Sequence, residues 1–235
     1  MNKYKVALLG TGKTGGEFSK FYKIPKRSQF NSAHHPTLEE LKEHDVIVSF
    51  LPGKAFLFFL PLILQSGRPL ICGTTGFEWP KKLNPQKIDR LLKHRKIKWI
   101  MGANFALGMN VFYELMRCLS RLTKSNVHTK TAMLEIHHRQ KIDRPSGTAL
   151  VLERLLKSPI PIKSIRRGDI IGFHQLTIGI PFEKMVLSHE ATSRKAFAQG
   201  VMWAIPFVFD KKVAHGLIRF EELFRQEFFV GENKR

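Results

Sequence analysis

The chain begins with a short apolar run, Lys5-Val6-Ala7-Leu8-Leu9, then a glycine-rich turn from Gly10 to Gly16, then helical spacing from Glu17 to Tyr22. A second strand falls between Arg27 and Ala33. Leu38 to Glu43 reads as a helix, Asp45 to Leu51 as a buried strand, and Lys54 to Gln65 as another helix. Pro69 to Cys72 and Lys98 to Gly102 add two more strands. Apolar strands alternating with helices predict right-handed βαβ units and a Rossmann-like, doubly wound parallel sheet of the α/β class.

Past Asn104 the pattern changes. A helix from Gly108 to Leu122 leads into Thr131 to His138, which alternates as a half-buried strand, and further strands are predicted at Ser164 to Ile171, Gln175 to Ile180 and Lys184 to His189. Strands in succession with few helices predict a second α+β lobe on an open mixed sheet. Ala191 to Ile205 reads as helix, and Phe207 to Phe229 as a basic, aromatic closing segment. The expected division is residues 1–103 with about 194–235 as a dinucleotide-binding domain, and residues 104–193 as a substrate-binding and oligomerisation domain.

Composition is that of a folded protein, 43% apolar and 25% charged, but 39 Lys plus Arg against 19 Asp plus Glu leave a formal charge of +20. Such a field attracts anions, whether phosphorylated cofactors, carboxylates, nucleic acid or anionic membrane. The cations come in short pieces (Lys23, Lys26 and Arg27; Lys93, Arg95, Lys96 and Lys98; Arg166 and Arg167), which read as solvated surface. Cys72 and Cys118 lack metal or redox spacing and read as buried thiols in a reducing compartment. Met1 is followed at once by a strand, so no signal peptide is expected. The longest apolar run, Ala55 to Leu64, contains Pro61 and is too short for a bilayer; it reads as a buried helix in a cytoplasmic protein.

Gly10-Thr11-Gly12-Lys13-Thr14-Gly15 fits G-x-G-x-x-G between a strand and a helix, where missing β-carbons let backbone amides approach a pyrophosphate at the helix N-terminus. The competing interpretation is a tight βα turn that binds nothing. A phosphate loop of the G-x-x-x-x-G-K-[ST] kind fits poorly, because its first glycine would fall at Ala7. Cofactor preference is read near the end of the second strand, where an acid bonds the ribose hydroxyl. No acid occurs between Phe18 and Thr37, whereas Lys13, Lys26, Arg27, His34 and His35 lie in or near that stretch, so NADPH is at least tolerated.

The richest segment is Glu135-Ile136-His137-His138-Arg139-Gln140-Lys141-Ile142-Asp143-Arg144-Pro145-Ser146-Gly147-Thr148-Ala149. Alternation puts Met133, Glu135 and His137 on one face, taken as the polar one, and Ala132, Leu134 and Ile136 on the other. Ser146 is the natural N-cap of a helix from Ala149 to Leu156, and the amides of Gly147 and Thr148 form an anion site there. A cationic loop beside that site suits a small acidic substrate and can deliver a proton. A plain basic loop before an ordinary helix is the alternative. Zinc is disfavoured, since adjacent histidines in a strand diverge and no spaced third ligand follows.

This segment resembles the signature of the dihydrodipicolinate reductase family: a histidine pair, a lysine three residues later, then D-A-P-S-G-T-A. Gly73-Thr74-Thr75-Gly76-Phe77 resembles that family's nicotinamide-side loop. Ala103-Asn104-Phe105 with Gly108 resembles its interdomain element, and His189-Glu190-Ala191 to Arg194 with Phe197-Ala198 and Gly200 a fourth element. The resemblance implies His137 and Lys141 as the catalytic pair, with Lys141 the proton donor. It implies His138, Ser146, Gly147 and Thr148 at the substrate carboxylates, and NADPH or NADH held by Gly10 to Gly15, Gly73, Thr74, Thr75, Ala103, Asn104 and Phe105. It further implies reduction of a cyclic imine dicarboxylate in diaminopimelate and lysine biosynthesis by a homotetramer; no metal is expected, from the histidine spacing alone. Arg144, Ala106 and Phe173 depart from the family pattern, as does a glycine turn one residue short with Lys13 in place of arginine. A dehydrogenase of another small acid, or a basic nucleic-acid-binding protein, are the alternative functions.

Overall fold

The computed structural model describes residues 3–122 and 128–230; of the expected domains, residues 1–2, 123–127 and 231–235 lie outside that description. Its elements in chain order begin with β1 (Val6–Leu9), α1 (Lys13–Tyr22), β2 (Gln29–Phe30), α2 (Leu38–Lys42), β3 (Val46–Ser49), α3 (Gly53–Ser66), β4 (Leu70–Cys72), α4 (Pro85–His94) and β5 (Lys98–Met101). There follow α5 (Leu107–Leu122), β6 (Lys130–His137), α6 (Gly147–Leu156), β7 (Ile162–Arg166), β8 (Phe173–Ile180), β9 (Glu183–Glu190), α7 (Lys195–Ala204), β10 (Gly216–Arg219) and α8 (Phe220–Arg225). Two compact units result, Met1–Phe105 with Phe197–Arg235, and Ala106–Ala196.

The first unit holds a six-stranded parallel sheet of order β10-β5-β4-β3-β1-β2. Every residue of β1, β3 and β4 is buried, which is why these strands read as unbroken apolar runs: a parallel sheet is covered on both faces. Leu9, Ile47, Phe56, Leu60, Leu70 and Trp99 anchor one face of this core. Order reverses beside β1, where neighbours β2 and β3 leave in opposite directions, and ligands of such sheets bind at that carboxyl edge.

The second unit holds a mixed sheet of order β7-β6-β8-β9, with β6 and β7 parallel and the other pairs antiparallel. One face buries Met133, Leu176 and Ile178; in the same unit α6 buries Ala149, Leu152 and Leu156. The opposite face carries Leu134, Ile136 and Phe173, only half-buried, and Val186, exposed.

Several expectations are corrected. Helix α1 starts at Lys13, inside the glycine run rather than at Glu17, because Gly15 packs on the carbonyl of Gly10; a Cβ there would collide with that oxygen. Helix α4 escaped the hydrophobic pattern, since Ile88 and Leu92 are its only buried residues, yet Asn84 caps it and Pro85 opens it. Strand β10 hides in the closing segment behind Gly216, whose φ of +126° suits glycine. Strand β7 lies earlier than predicted and ends at Arg166, as Gly168 (φ +53°) turns the chain. Helix α7 starts at Lys195 instead of Ala191, whose amide still bonds the Gly172 carbonyl.

Side-chain burial differs too. Cys118 is exposed, lying off the buried Phe112–Met116–Ser120 face of α5, and only Cys72 is buried. Helix α3 buries one face and leaves Phe58 72% exposed, so it is amphipathic rather than wholly interior. Lys98 is buried with its ammonium donating to the Asp210 carbonyl, so that member of its basic cluster is no solvated cation.

These contacts make the glycine run separable by function. Gly15→Ala forces α1 off the Gly10 carbonyl, an overpacking cost of about 1–3 kcal/mol, and should lower Tm by roughly 2–12 °C. Gly12→Ala meets nothing within 4 Å and should leave the melting curve in place. Calorimetry of both variants checks the pair, and a destabilised Gly12→Ala with an unaffected Gly15→Ala would contradict it.

Candidate active site

At the carboxyl edge of the parallel sheet, four backbone bonds draw successive strand ends together. Gly10 N donates to Phe30 O, Phe50 N to Leu9 O, Gly73 N to Ser49 O, and Gly102 N to Cys72 O, all at 2.8–3.0 Å. The glycine turn, the Gly73-Thr74-Thr75 loop and Ala103-Asn104-Phe105 therefore follow β1, β4 and β5 at one edge. Gly10 (φ +93°) and Gly15 are packed against backbone, whereas a Cβ on Gly12 would meet only open space. Gly12 is also the N-cap of α1, and no side chain caps that helix. Room and an N-terminus uncapped by any side chain fit a dinucleotide pyrophosphate. Lys13 is exposed in the first turn of α1, Thr11 and Thr14 are half-buried, and Thr75 and Ala103 are exposed. Thr74 is buried, its hydroxyl 3.2 Å from that of Ser49. Phe105 is core, its ring 4.3 Å from that of Phe220, so any contact it makes with a cofactor is through backbone. After β2, the Asn31 side chain accepts from the amides of Ala33 and His34 at 2.8 and 3.1 Å.

The mixed sheet carries a row of polar side chains on its buried face. Register sets Ser164 of β7 beside Glu135 of β6, Glu135 beside His174 of β8, and His174 beside His189 of β9. In the next row are Arg166 and His137. The face assigned to His137 from alternation is thus right in its members but is the buried face, not the solvated one. His137 is only 5% exposed and Glu135 fully buried.

Glu135 is compensated by several donors. The Ser146 amide donates to both its oxygens at 3.0 and 3.1 Å, and Arg166 Nη2 donates to Oε1 at 3.1 Å. Burial alone would raise this carboxyl, but bonds from Ser146, Ser164 and Arg166 outweigh it and hold the group below its usual range. Burial pushes the His137 imidazole down to about 4 against the attraction of Glu135, and His174 down to about 3. Both rings are therefore neutral at pH 7. His137 Nδ1 stands 3.5 Å from Glu135 Oε2 without hydrogen-bond alignment, and its ring meets that of His174 edge-on at 5.1 Å.

Strand β6 ends at His137, so half-buried His138 begins the loop, its carbonyl accepting from the Lys141 amide at 3.1 Å. Lys141 Nζ pairs with Asp143 Oδ1 at 2.9 Å, and Asp143 Oδ2 accepts from the Gly147 amide at 3.3 Å. Burial of Asp143 is outweighed by Lys141, which keeps the carboxyl below its usual range. Ser146 is the N-cap of α6 as expected, accepting from Ala149 N at 3.2 Å, and its hydroxyl lies 3.3 Å from His174 Nε2. Thr148 is half-buried in the first turn.

Sequence reasoning missed Arg166, His174 and Asp143 as participants. Arg166 was read as solvated, yet its side chain is 2% exposed. Of the departures from the family pattern, Phe173 pairs with Ile136 on the opposite face of the sheet, away from Glu135 and His137. Arg144 is exposed, and Ala106 is buried with its carbonyl accepting from Asn110. Glu135, His137 and His174 bring possible metal-ligand atoms within 4.8 Å of one another. The guanidinium already on Glu135 opposes a second cation there, so this donor set fits an ion pair better than a metal.

Comparison with known proteins identifies the family and the fold. The family described as dihydrodipicolinate reductase, C-terminus, matches residues 108–224. The 4-hydroxy-tetrahydrodipicolinate reductase of Methanocaldococcus jannaschii is 30% identical over 227 residues, covering 87% of this chain and 77% of that one. The protein of the same name from Thermosipho africanus is 31% identical over 207 residues, covering 84% and 90%. A dipicolinate-bound dihydrodipicolinate reductase from Paenisporosarcina shares the fold, with a TM-score of 0.70 at 22% identity over 94% of this chain and 99% of that chain. The chain belongs to the 4-hydroxy-tetrahydrodipicolinate reductase family.

Proposed function

We propose that this protein reduces the dehydrated cyclic imine of 4-hydroxy-tetrahydrodipicolinate to tetrahydrodipicolinate with NADPH or NADH, a step toward diaminopimelate and lysine. The observation that carries the reading is a carboxylate, that of Asp143, shared between the Lys141 ammonium and the Gly147 amide at 2.9 and 3.3 Å. A cation and a helix-start amide converging on one carboxylate are what a small dicarboxylate requires. The reduced nicotinamide supplies hydride to an electron-poor carbon of the imine.

The chain's own residues bind, orient and protonate. Gly147, Thr148 and His138 take the substrate carboxylates, and Ser146 supports them from beneath as the cap of α6. Lys141 donates the proton that balances the hydride, and its charge stabilises the developing enamine. His137, neutral through burial, orients and hydrogen-bonds rather than ionises. Gly10, Thr11, Gly12, Lys13, Thr14 and Gly15 hold the cofactor's pyrophosphate, while Gly73, Thr74, Thr75, Ala103, Asn104 and Phe105 border its nicotinamide half. At the end of β2, uncharged Asn31 stands where an acid would repel a 2′-phosphate, which supports use of NADPH. The half-covered sheet face with Leu134, Ile136, Phe173 and Val186 supports a homo-oligomer, a tetramer by family resemblance. No helix among the described residues is long and apolar enough to cross a membrane.

Oxidation of the reduced cofactor should require enzymatically generated imine substrate. Lys141→Ala should lower kcat by about 10²–10⁴-fold, and full turnover in that variant would overturn the donor assignment. Because the His137 proton is lost near pH 4, far below the ordinary 6.5, kcat should show no limb between pH 5.5 and 7.5 that His137→Asn removes. The same sign makes acid destabilising: below pH 6.5 the unfolded chain protonates at His137 and His174 while the folded chain resists, so Tm should fall as pH drops toward 4. For the cofactor, Asn31→Asp should raise the Kd of NADPH roughly tenfold and leave NADH little changed; equal effects on both nucleotides would remove Asn31 from the 2′-phosphate site.

A further inference from the structure

A proton donor works only if its nitrogen is held near the acceptor, and a misplacement of about 1 Å can cost on the order of 10²-fold in rate. Lys141 sits in the irregular stretch between β6 and α6, where no ladder fixes the backbone. One side chain from outside that stretch holds it. Arg166 Nε donates to the Lys141 carbonyl at 3.1 Å, and Nη2 donates both to the Asp143 carbonyl and, at 3.1 Å, to Glu135 Oε1. Nη1 donates back to the Ile165 carbonyl at 2.9 Å, which fixes the plane of the guanidinium against its own strand.

We propose that Arg166, backed by Glu135, is the positioning residue of this enzyme, setting the loop that carries the Lys141 ammonium; the inference rests on the reading of Lys141 as proton donor. The bonds go to the donor residue itself and to the carboxylate partner of its ammonium, not to a regular element. Glu135 closes the arrangement, because the same carboxylate that aligns Arg166 also takes the Ser146 amide at the far end of the loop. The two neighbouring strand ends add bonds that seat the loop: Arg167 N to His137 O at 2.8 Å and Arg139 N to Gly168 O at 3.2 Å.

The geometry selects arginine. Its planar fork carries five N–H groups on three nitrogens, and here four separate acceptors lie around its rim. A lysine would present one nitrogen, which in the place of Nη2 could serve the Asp143 carbonyl and Glu135 but not the Lys141 carbonyl that Nε holds. The charge alone does not define the role, since Lys keeps the charge and loses the fork.

The test uses the full-length enzyme with reduced cofactor and enzymatically generated imine. Arg166→Lys should fold and bind cofactor normally, yet lose on the order of 10²-fold in kcat with KM moving less than about fivefold. Arg166→Ala should be partly rescued in kcat by added ethylguanidine, a rescue that Lys141→Ala, measured beside it, should not show. A wild-type kcat in Arg166→Lys, or a rise in KM with kcat intact, would overturn the positioning role. Should Arg166→Ala fail to fold, Glu135→Gln keeps the volume and one acceptor; it is expected to lose kcat in the same sense, and an unchanged kcat there also overturns the proposal. If Lys141→Ala keeps its turnover, the donor reading fails and this inference with it, whereas an inactive Lys141→Ala beside a normal Arg166→Lys refutes this inference alone.

Discussion

The carboxylate of Glu135 is fully buried in the middle of a sheet, and an ion there is costly unless charge and hydrogen bonds meet it on several sides. The compensating donors come from two stretches of chain: Arg166 and Ser164 from β7, and the Ser146 amide from the start of α6. One anion thereby fixes where β7 ends, where α6 begins and how the loop between β6 and α6 is spanned. Removing a single partner of such a pair typically costs about 3–5 kcal/mol, because the remaining charge stays buried. Two residues further along β6, on the same face, His137 inherits its position from this arrangement.

The same surroundings divide the ionisable groups by role. On the buried face, desolvation outweighs the nearby carboxylate, so the His137 and His174 imidazoles are uncharged at neutral pH. At the edge, Lys141 keeps 26% of its side chain exposed and Asp143 keeps 53%, so their ion pair forms where water still reaches it. An interior that is polar yet neutral beside a cation at the rim can orient a substrate without competing for its proton. It also lets one carboxylate balance one guanidinium, so that the rim cation faces substrate uncancelled by Glu135.

Much of this was legible in residue order, for definite reasons. Strands buried on both faces leave continuous apolar runs, so β1, β3 and β4 stand out, and Ser146 announces α6 because few residues cap a helix. The Glu135–His137 alternation gave the right set of residues on one face but the wrong environment, since alternation reports geometry and not what covers the face. Arg166 looked like any basic surface residue: its partners, Glu135 and the Lys141 and Asp143 carbonyls, lie at sequence separations of 31, 25 and 23, and nothing local marks them. His174 likewise depends on β8 pairing with β6. Helix α4 and β10 were hidden because one is mostly polar and the other only four residues long, bonded in parallel to β5, more than a hundred positions earlier.

Asp143 gives the loop a further physical consequence. Its carboxylate takes one oxygen to the Lys141 ammonium and the other to the Gly147 amide, the two groups assigned to an anionic substrate. Under the proposed function, binding is an exchange of carboxylates rather than the filling of bare charges. The exchange is close to neutral in hydrogen bonds, so selectivity must come from what a single aspartate lacks: a second carboxylate on the same molecule, held at a fixed distance by a ring. A monocarboxylate would replace Asp143 with little gain, while on the proposed assignment a rigid dicarboxylate would replace it and also reach His138 or Thr148, an intramolecular advantage of the kind that makes a second contact inexpensive once the first is made. Arg166 holds the backbone of Lys141 and Asp143 through the exchange, because its bonds go to their carbonyls and not to the side chains that must move.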